Sequence, residues 1–486
     1  MLATAGNALI WILYIGAFIA LARKGRGHDA AISGRVGFAI QALAYVATYI
    51  SAVALVGFGG LAHRYGLQML LVAAGNVWLG TWVVYRFLAW PTRVWQQHLG
   101  ARSPAALLGS GHHSPLLGRA LAFLFALFLG VYASAVIKGA ALLLGQIVPL
   151  PLWMLIWGVA LVVGVCVCTG GLRGVLYTEA MQGVIMLAGI LLIVGAVLAK
   201  VGGPIQGITD LAALAPTEFA NKGFTALSTG GSGLFILSLV VVTSVAVWAQ
   251  PQMIQRHFAL ASKKQAARIA PLAMLVLTVL VGGTYFIASL SRLIIPEVES
   301  PDALMPLLVS QLLPSAGMHL FVLAIVSASL STATALFHIA ALAMAEDVPA
   351  KKSTPATWRL GVLFCVLISA FCAQADGSLI ALLCTTSWSV VGSAVLVPYL
   401  ALVLFSKRNT AAAWCASLGG LFSCLFWYLC VYGPTAFLPI APATSLAAGI
   451  PPFFPGLAVS LACWGAGLMA PARRPASGAR REKALP

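Results

Sequence analysis

Five hydroxyl side chains fall within eight residues of one apolar stretch: Ser327, Ser329, Ser331, Thr332 and Thr334, written S-A-S-L-S-T-A-T. Neutral oxygens of this kind are hard ligands, and an alkali cation takes about five or six of them. A set without formal charge suits a monovalent ion that must leave again. Adjacent Ser331 and Thr332 would point about 100° apart on a helix, so both reach one site only from a face angled at a partner element. A second stretch offers that partner. Ala47-Thr48-Tyr49-Ile50-Ser51 interrupts an apolar run and is followed by Gly57, Gly59 and Gly60. A helix that unwinds there exposes backbone carbonyls, which are also hard oxygen ligands. Both stretches have plainer readings. Hydroxyls back-bond to the preceding helical turn, and small residues let helices pack closely.

Two other clusters set polar groups against apolar surroundings, where such groups are costly. Gly170-Gly171-Leu172-Arg173 leads into Tyr177-Thr178-Glu179 and Gln182. Glu179 is the only acidic residue well inside an apolar stretch. It could relay a departing cation or pair with Arg173. Trp248, Gln250, Pro251, Gln252, Gln255 and Arg256 close another stretch. Proline there breaks the helical ladder, and glutamines can satisfy the break, contact a ligand or cap the span at an interface. Lys138 lies in a further span near its outer side, where it either snorkels outward or holds a substrate carboxylate.

The elements that must position these groups are membrane helices. Of 486 residues, 61% are hydrophobic and 8% are charged, with a mean hydropathy of +0.99. A soluble domain carries about 25% charge. The composition therefore excludes a soluble enzyme, a secreted disulfide scaffold and a disordered chain, and no nucleotide-binding, metalloprotease or hydrolase motif appears. Thirteen apolar candidates run at about 7–23, 36–60, 67–92, 116–146, 150–169, 172–200, 231–256, 268–296, 303–345, 358–375, 378–406, 411–433 and 452–471. The first part of the ninth reads as a helix lying on the outer surface. Backbone groups in lipid must pair internally, so the spans are helices. The fold class is an all-α integral membrane protein.

The net charge of +17 reports topology rather than a nucleic-acid partner. With the N-terminus outside and the C-terminus cytoplasmic, 23 of 28 Lys and Arg residues fall on the cytoplasmic side, as positive-inside requires. Residues 1–471 form one transmembrane domain, and the basic tail 472–486 is expected to be disordered against anionic headgroups. The first helix is expected to be retained rather than cleaved as a signal peptide. The nine cysteines read as small buried hydrophobes, and His112-His113 as solvated loop residues. The polar stretches 87–115 and 201–230 read as an inner loop and an outer gate-side loop or surface helix.

In this order the clusters resemble the sodium:solute symporter family, from about residue 36 to about 406, and more closely its proline and pantothenate branches than its sugar branch. The carriers of the resemblance are G-G-L-R-G-V-L-Y-T-E-A-M-Q (170–182), Q-P-Q-M-I-Q-R (250–256) and A-S-L-S-T (328–332). It implies a LeuT-type fold, with inverted five-helix repeats at about 36–200 and 231–406. It implies a Na+ site made of the carbonyls of Ala47, Ile50 and Ala328 with the hydroxyls of Ser331 and Thr332. Glu179 stands where the family carries an Asp on the ion exit path. A second Na+ site is not expected, because Ala335 follows Thr334. Pocket candidates carried over by position are Tyr49, Ala54, Tyr132, Ser134, Lys138, Val242, Gln250, Ser387 and Trp388. The stretches V-A-L-V (53–56) and V-A-A (72–74) stand where sugar carriers are polar. A polyol would leave hydroxyls unpaired there at about 1–3 kcal/mol each. The expected function is sodium-coupled import of a small amino acid or monocarboxylate by alternating access, not catalysis. The expected setting is a bacterial inner membrane, with the protein acting as a monomer. The rivals are a proton-coupled carrier using Glu179 and a transporter-like sensor needing a separate signalling partner.

Overall fold

The structure is a computed structural model, described here for residues 2–24, 36–169, 172–227, 230–375, 380–432 and 447–469. The tail 472–486, Gly170, Gly171 and the Arg173 side chain lie outside the described residues. Among the described residues twenty α-helices follow one another: α1 (Leu2–Lys24), α2 (Phe38–Tyr49), α3 (Phe58–Tyr65), α4 (Leu70–Val77), α5 (Ala89–Leu99), α6 (Pro104–Gly111), α7 (Pro115–Leu144), α8 (Leu152–Thr169), α9 (Leu172–Lys200), α10 (Pro204–Ala212), α11 (Gly230–Ser244), α12 (Pro251–His257), α13 (Lys263–Leu277), α14 (Gly283–Leu290), α15 (Leu304–Leu312), α16 (Ser315–Leu342), α17 (Pro355–Ala373), α18 (Ile380–Val403), α19 (Thr410–Cys430) and α20 (Phe453–Met469). Wide-turn segments Val53–Gly57, Trp78–Leu88 and Thr278–Gly282 join α3, α4 with α5, and α13 with α14 into longer runs.

Among the described residues, eight helices are long and apolar enough to cross a membrane, and the pair Gly233–Ala249 and Pro251–His257, bent by 54°, makes a ninth. Shorter apolar helices at Leu9–Leu21, Phe38–Tyr49, Leu152–Cys168 and Phe453–Met469 occupy the other candidate positions. The surface is apolar as well: Leu161, Val165, Leu191, Phe371 and Phe422 all lie more than half exposed. Apolar side chains spread so widely on the outside require a lipid solvent.

Two breaks have local causes. α2 stops at Tyr49 because Ile50 turns extended (φ −101°, ψ 125°) and the Ser51 hydroxyl accepts the Val53 N–H, starting a new helix. α11 gives way to α12 at Gln250, whose extended backbone (φ −70°, ψ 124°) is what a following proline imposes. Pro251 then serves as the first residue of α12, where its missing N–H costs nothing. α16 runs through the centre, buried from Phe321 to Ala333 and packed on α7, α9 and α2. Gly60 permits a close crossing: a Cβ there would meet the Pro301 carbonyl oxygen at 1.9 Å. Gly60→Ala is therefore expected to lower the melting midpoint by several degrees, measurable on purified protein, because backbone cannot step aside as a side chain can.

Four sequence expectations are corrected here. The stretch 87–115 is not a loop; it carries α5 and α6, with Trp95, Leu107 and Leu108 buried. The ninth span divides at Leu313–Pro314, so that its first part is the separate helix α15, which buries Leu304, Met305, Leu308 and Val309 against α3, α7 and α9 and exposes Leu307 on its other face. Cys168 and Cys415 are exposed rather than buried. His112 is not solvated. Its Nε2 lies 2.9 Å from the Pro398 carbonyl, its Nδ1 accepts the Asn409 N–H at 3.4 Å, and Trp464 meets the ring edge-on.

This bonding fixes His112 as the neutral Nε2–H tautomer, and burial pushes its pKa down to about 4 from 6.5. An unfolded chain binds a proton at this histidine below pH 6.5 while the folded one does not. Stability contributed at neutral pH is thus lost as pH falls from about 6.5 toward 4. The melting midpoint should drop over that window, and His112→Gln should flatten the drop.

Candidate functional site

The site begins where the break in α2 meets the middle of α16. The Ser331 hydroxyl donates to the Ala47 carbonyl at 2.7 Å and lies 2.9 Å from the Ala328 carbonyl. The Thr332 hydroxyl lies 3.2 Å from the Ala47 carbonyl, 3.4 Å from that of Thr48 and 3.5 Å from that of Ile50. All five residues of the expected ion site are buried, and their oxygens converge from two helices. The angular objection to using both hydroxyls is met because α2 ends there. Its last carbonyls have no following turn to accept and face α16 instead.

The donor set fits a monovalent cation on chemical grounds: five neutral oxygens, three of them carbonyl, with no nitrogen or sulfur among them. The carbonyls already present lone pairs inward. The two hydroxyls spend their protons on those same carbonyls, and a rotation about each C–O bond would turn their lone pairs toward an ion. Ser327 and Ser329, also buried, have hydroxyl oxygens without hydrogen-bond partners. Thr334 bonds back to the Leu330 and Ser331 carbonyls.

Glu179, fully buried on α9, lies against the Thr48 side chain and makes an ion pair with Arg256 of α12. The sequence left open a cation relay or a pair with Arg173, whose side chain lies outside the described residues. Arg256 is 77 residues away in the chain and ties α9 to the short helix behind the Gln250 break. Glu179 Oε2 keeps no hydrogen-bond partner.

Beside the break a small cavity is lined by Tyr49, Ile50, Ser51, Val53, Ala54, Phe58, Asn76, Tyr132, Thr243, Tyr285 and Trp388, with room for about one water molecule. Of the pocket candidates, Tyr49, Ala54, Tyr132 and Trp388 line it. Gln250 stands directly behind, its Nε2 3.3 Å from the Trp388 carbonyl. The other four do not line it. Ser134 bonds to Val131 in its own helix and Ser387 bonds to the Phe128 carbonyl. Val242 is buried elsewhere in the core. Lys138 is half-buried near the end of α7, within electrostatic reach of Asp302, which in turn accepts the Ile380 N–H at the start of α18. Lys138 thus does not line the cavity.

Asn76, Thr243, Tyr285 and Phe58 escaped the sequence reading. Asn76 is the centre of the polar wall: its Oδ1 lies 2.8 Å from the Thr243 hydroxyl and 3.2 Å from those of Tyr49 and Ser244. The Tyr49 hydroxyl also donates to the Thr243 carbonyl at 2.8 Å. Thus α2, α4 and α11 are joined through one amide. The third span is not apolar at the pocket, as V-A-A (72–74) suggested; its amide lies just beyond that triplet. Its isolation as the one Asn in an apolar run was the available signal. Tyr285 Oη and Trp388 Nε1 are buried in this wall without partners.

Residues 32–420 match the sequence profile of the Sodium:solute symporter family. A sodium/pantothenate symporter of Haemophilus influenzae is 26% identical over 299 residues, 60% of this chain and 60% of that protein. The high-affinity proline transporter PutP of Bacillus subtilis is 26% identical over 415 residues, 82% of this chain and 86% of that one. The chain spans about three fifths of the length of the pantothenate relative. Among solved structures, a substrate-bound, outward-open Na+-coupled sialic acid symporter superposes with a TM-score of 0.75 at 17% identity, covering 97% of this chain and 99% of that one. That likeness carries the fold.

Proposed function

Because the chain belongs to the sodium:solute symporter family, we propose that it is a sodium-coupled secondary symporter importing a small organic solute by alternating access. The observation that carries this reading is the convergence of the Ala47, Ile50 and Ala328 carbonyls and the Ser331 and Thr332 hydroxyls across the α2 break. Sodium is cargo in this scheme. Bridging α2 to α16, it favours the conformation in which the cavity beside the break accepts solute. Both leave inward when the joint opens. Coupling is then a difference in sodium affinity between two conformations. An inward potential adds about 2.3 kcal/mol per charge per 100 mV. Glu179 lies next along the way in from Thr48 and serves as the ion's exit partner.

The frame we propose has thirteen crossings, an outer N-terminus, a cytoplasmic C-terminus and inverted repeats at about 36–200 and 231–406, with one copy sufficient. A bacterial inner membrane is the matching location. The solute is a small amino acid or monocarboxylate. Val53, Ala54, Phe58 and Trp388 supply apolar walls, while Tyr49, Asn76, Tyr132, Thr243 and Tyr285 supply neutral polar groups. The second half of the broken helix begins at this cavity, and its N-terminal dipole favours a carboxylate. The two named relatives act on pantothenate and proline, which both carry that group.

The test is uptake of labelled amino acids and small carboxylates into proteoliposomes, with and without an inward sodium gradient. Uptake of any of these solutes driven by sodium supports the reading; gradient-independent or solely pH-driven uptake overturns it. For the solute found, Asn76→Ala should raise the half-saturating solute concentration about tenfold, the loss of one buried hydrogen bond of about 1.4 kcal/mol. Half-saturating sodium should move far less.

A further inference from the structure

A groove that the transport pathway does not use runs between the Trp78–Leu88 segment with α5 on one side and α13 on the other. It is lined by Trp82, Tyr85, Arg86, Phe87, Trp90, Pro91, Lys263, Ala267, Ala270, Pro271 and Met274. Its shape follows from the sequence. Ala267, Ala270 and Pro271 present small side chains on α13, while the opposite wall presents Trp82, Phe87 and Trp90. Small residues facing large ones leave a hollow. Trp82 and Phe87 are exposed, so the hollow opens outward to the surrounding medium rather than inward to the core.

Charge is distributed unequally along it. Arg86 and Lys263 are the charged side chains of its lining, and neither makes an ion pair among the described residues. No Asp or Glu occurs from residue 80 to 110 or from 250 to 290, so no nearby carboxylate in either segment can neutralise them. Arg93, Lys264 and Arg268 add to the same basic ends. The rest of the lining is aromatic, aliphatic or thioether. A site with two unneutralised cations beside an apolar trough, set at the ends of two membrane-spanning runs, is complementary to one kind of molecule: an anion carrying hydrocarbon.

We propose that this groove binds an anionic phospholipid, its phosphate held by Arg86 and Lys263 and an acyl chain laid along Ala267, Pro271 and Met274 beneath Trp82. The Trp82 and Trp90 rings suit the headgroup level of a bilayer, where indoles concentrate. The inference rests on the membrane placement above and not on the coupling ion.

The experiment uses the full chain purified in a neutral detergent. Dioleoyl phosphatidylglycerol, dioleoyl phosphatidylcholine and glycerol phosphate are added separately, the melting midpoint is read, and retained lipid is counted by native mass spectrometry. Expected for the wild type are a rise of several degrees with phosphatidylglycerol, one or two retained molecules, and little response to the other two probes. Arg86→Gln with Lys263→Gln should remove the preference for the anionic lipid. Ala267→Leu, which keeps both cations and fills the trough, should remove retention too. Equal response to phosphatidylcholine overturns the proposal, and so does unchanged retention in both variants. A full response to glycerol phosphate alone overturns it in favour of a free-anion site. Sodium-dependent uptake is read separately, so failure here leaves the symport proposal intact, and the reverse.

Discussion

Replacing Ser331 and Thr332 together by alanine is expected to abolish the sodium-specific part of the protein's thermal stabilisation. Two of five converging oxygens disappear, both from α16, so three carbonyls would remain against a cation that needs about five or six ligands. A ligand that binds only the folded protein stabilises it by RT ln(1 + [L]/Kd), about 2.7 kcal/mol at a hundredfold excess over Kd. If the lost oxygens weaken binding a hundredfold, that term falls below about 0.5 kcal/mol at the same sodium concentration. The melting midpoint in sodium would then coincide with that in potassium. The fold itself should survive. The removed hydroxyls bond to carbonyls at a helix end, and each net loss is about 1 kcal/mol. A double variant that keeps the full wild-type sodium response would mean that the ion binds elsewhere, with the orphaned Ser327 and Ser329 the next place to look.

The second large effect is expected at the buried ion pair. Arg256→Gln leaves the Glu179 carboxylate buried on α9 with neither oxygen neutralised, and breaking such a pair from one side costs about 3–5 kcal/mol. The reverse single change, Glu179→Gln, should cost less, because Arg256 is 12% exposed and can reach water while Glu179 is 1% exposed. Glu179→Gln with Arg256→Gln should recover much of the stability lost in Arg256→Gln alone. Melting midpoints of the four proteins make the cycle. Additive losses, with no recovery in the double variant, would show that the two side chains are not coupled.

What the sequence disclosed and what it withheld divide along one physical line. Hydroxyls crowded into an apolar helix are conspicuous, because each is costly in lipid. The cluster from Ser327 to Thr334 could therefore be singled out, the resemblance to the symporter family selected Ser331 and Thr332 within it, and Gln250-Pro251 marked a break by its own local chemistry. The break after Tyr49 was legible for the same reason, although the following glycines remain helical: it is Ser51 that captures the Val53 N–H. Partners distant in the chain were legible only where the family resemblance paired them, as it did Ala47 with Ser331. Nothing near residue 179 announces Arg256, and the nearer Arg173 was the natural guess. Asn76 was passed over because one amide in a long apolar run resembles a packing residue until Thr243 and Tyr49 are brought to it. His112 was misjudged by polarity alone, since its position in a connection hid the carbonyl and indole that bury it. Ser134 and Ser387 erred the other way: their hydroxyls are satisfied by nearby backbone and have no need of a ligand.

The account stands or falls on sodium binding where α2 breaks against α16. The most direct measurement is equilibrium binding of radioactive sodium to the purified wild-type protein, with potassium as competitor at equal ionic strength and the Ser331→Ala, Thr332→Ala protein alongside. The account predicts saturable binding that excess potassium does not displace and that the double variant lacks. Absence of saturable sodium binding in the wild type, or binding undiminished in the variant, would contradict it.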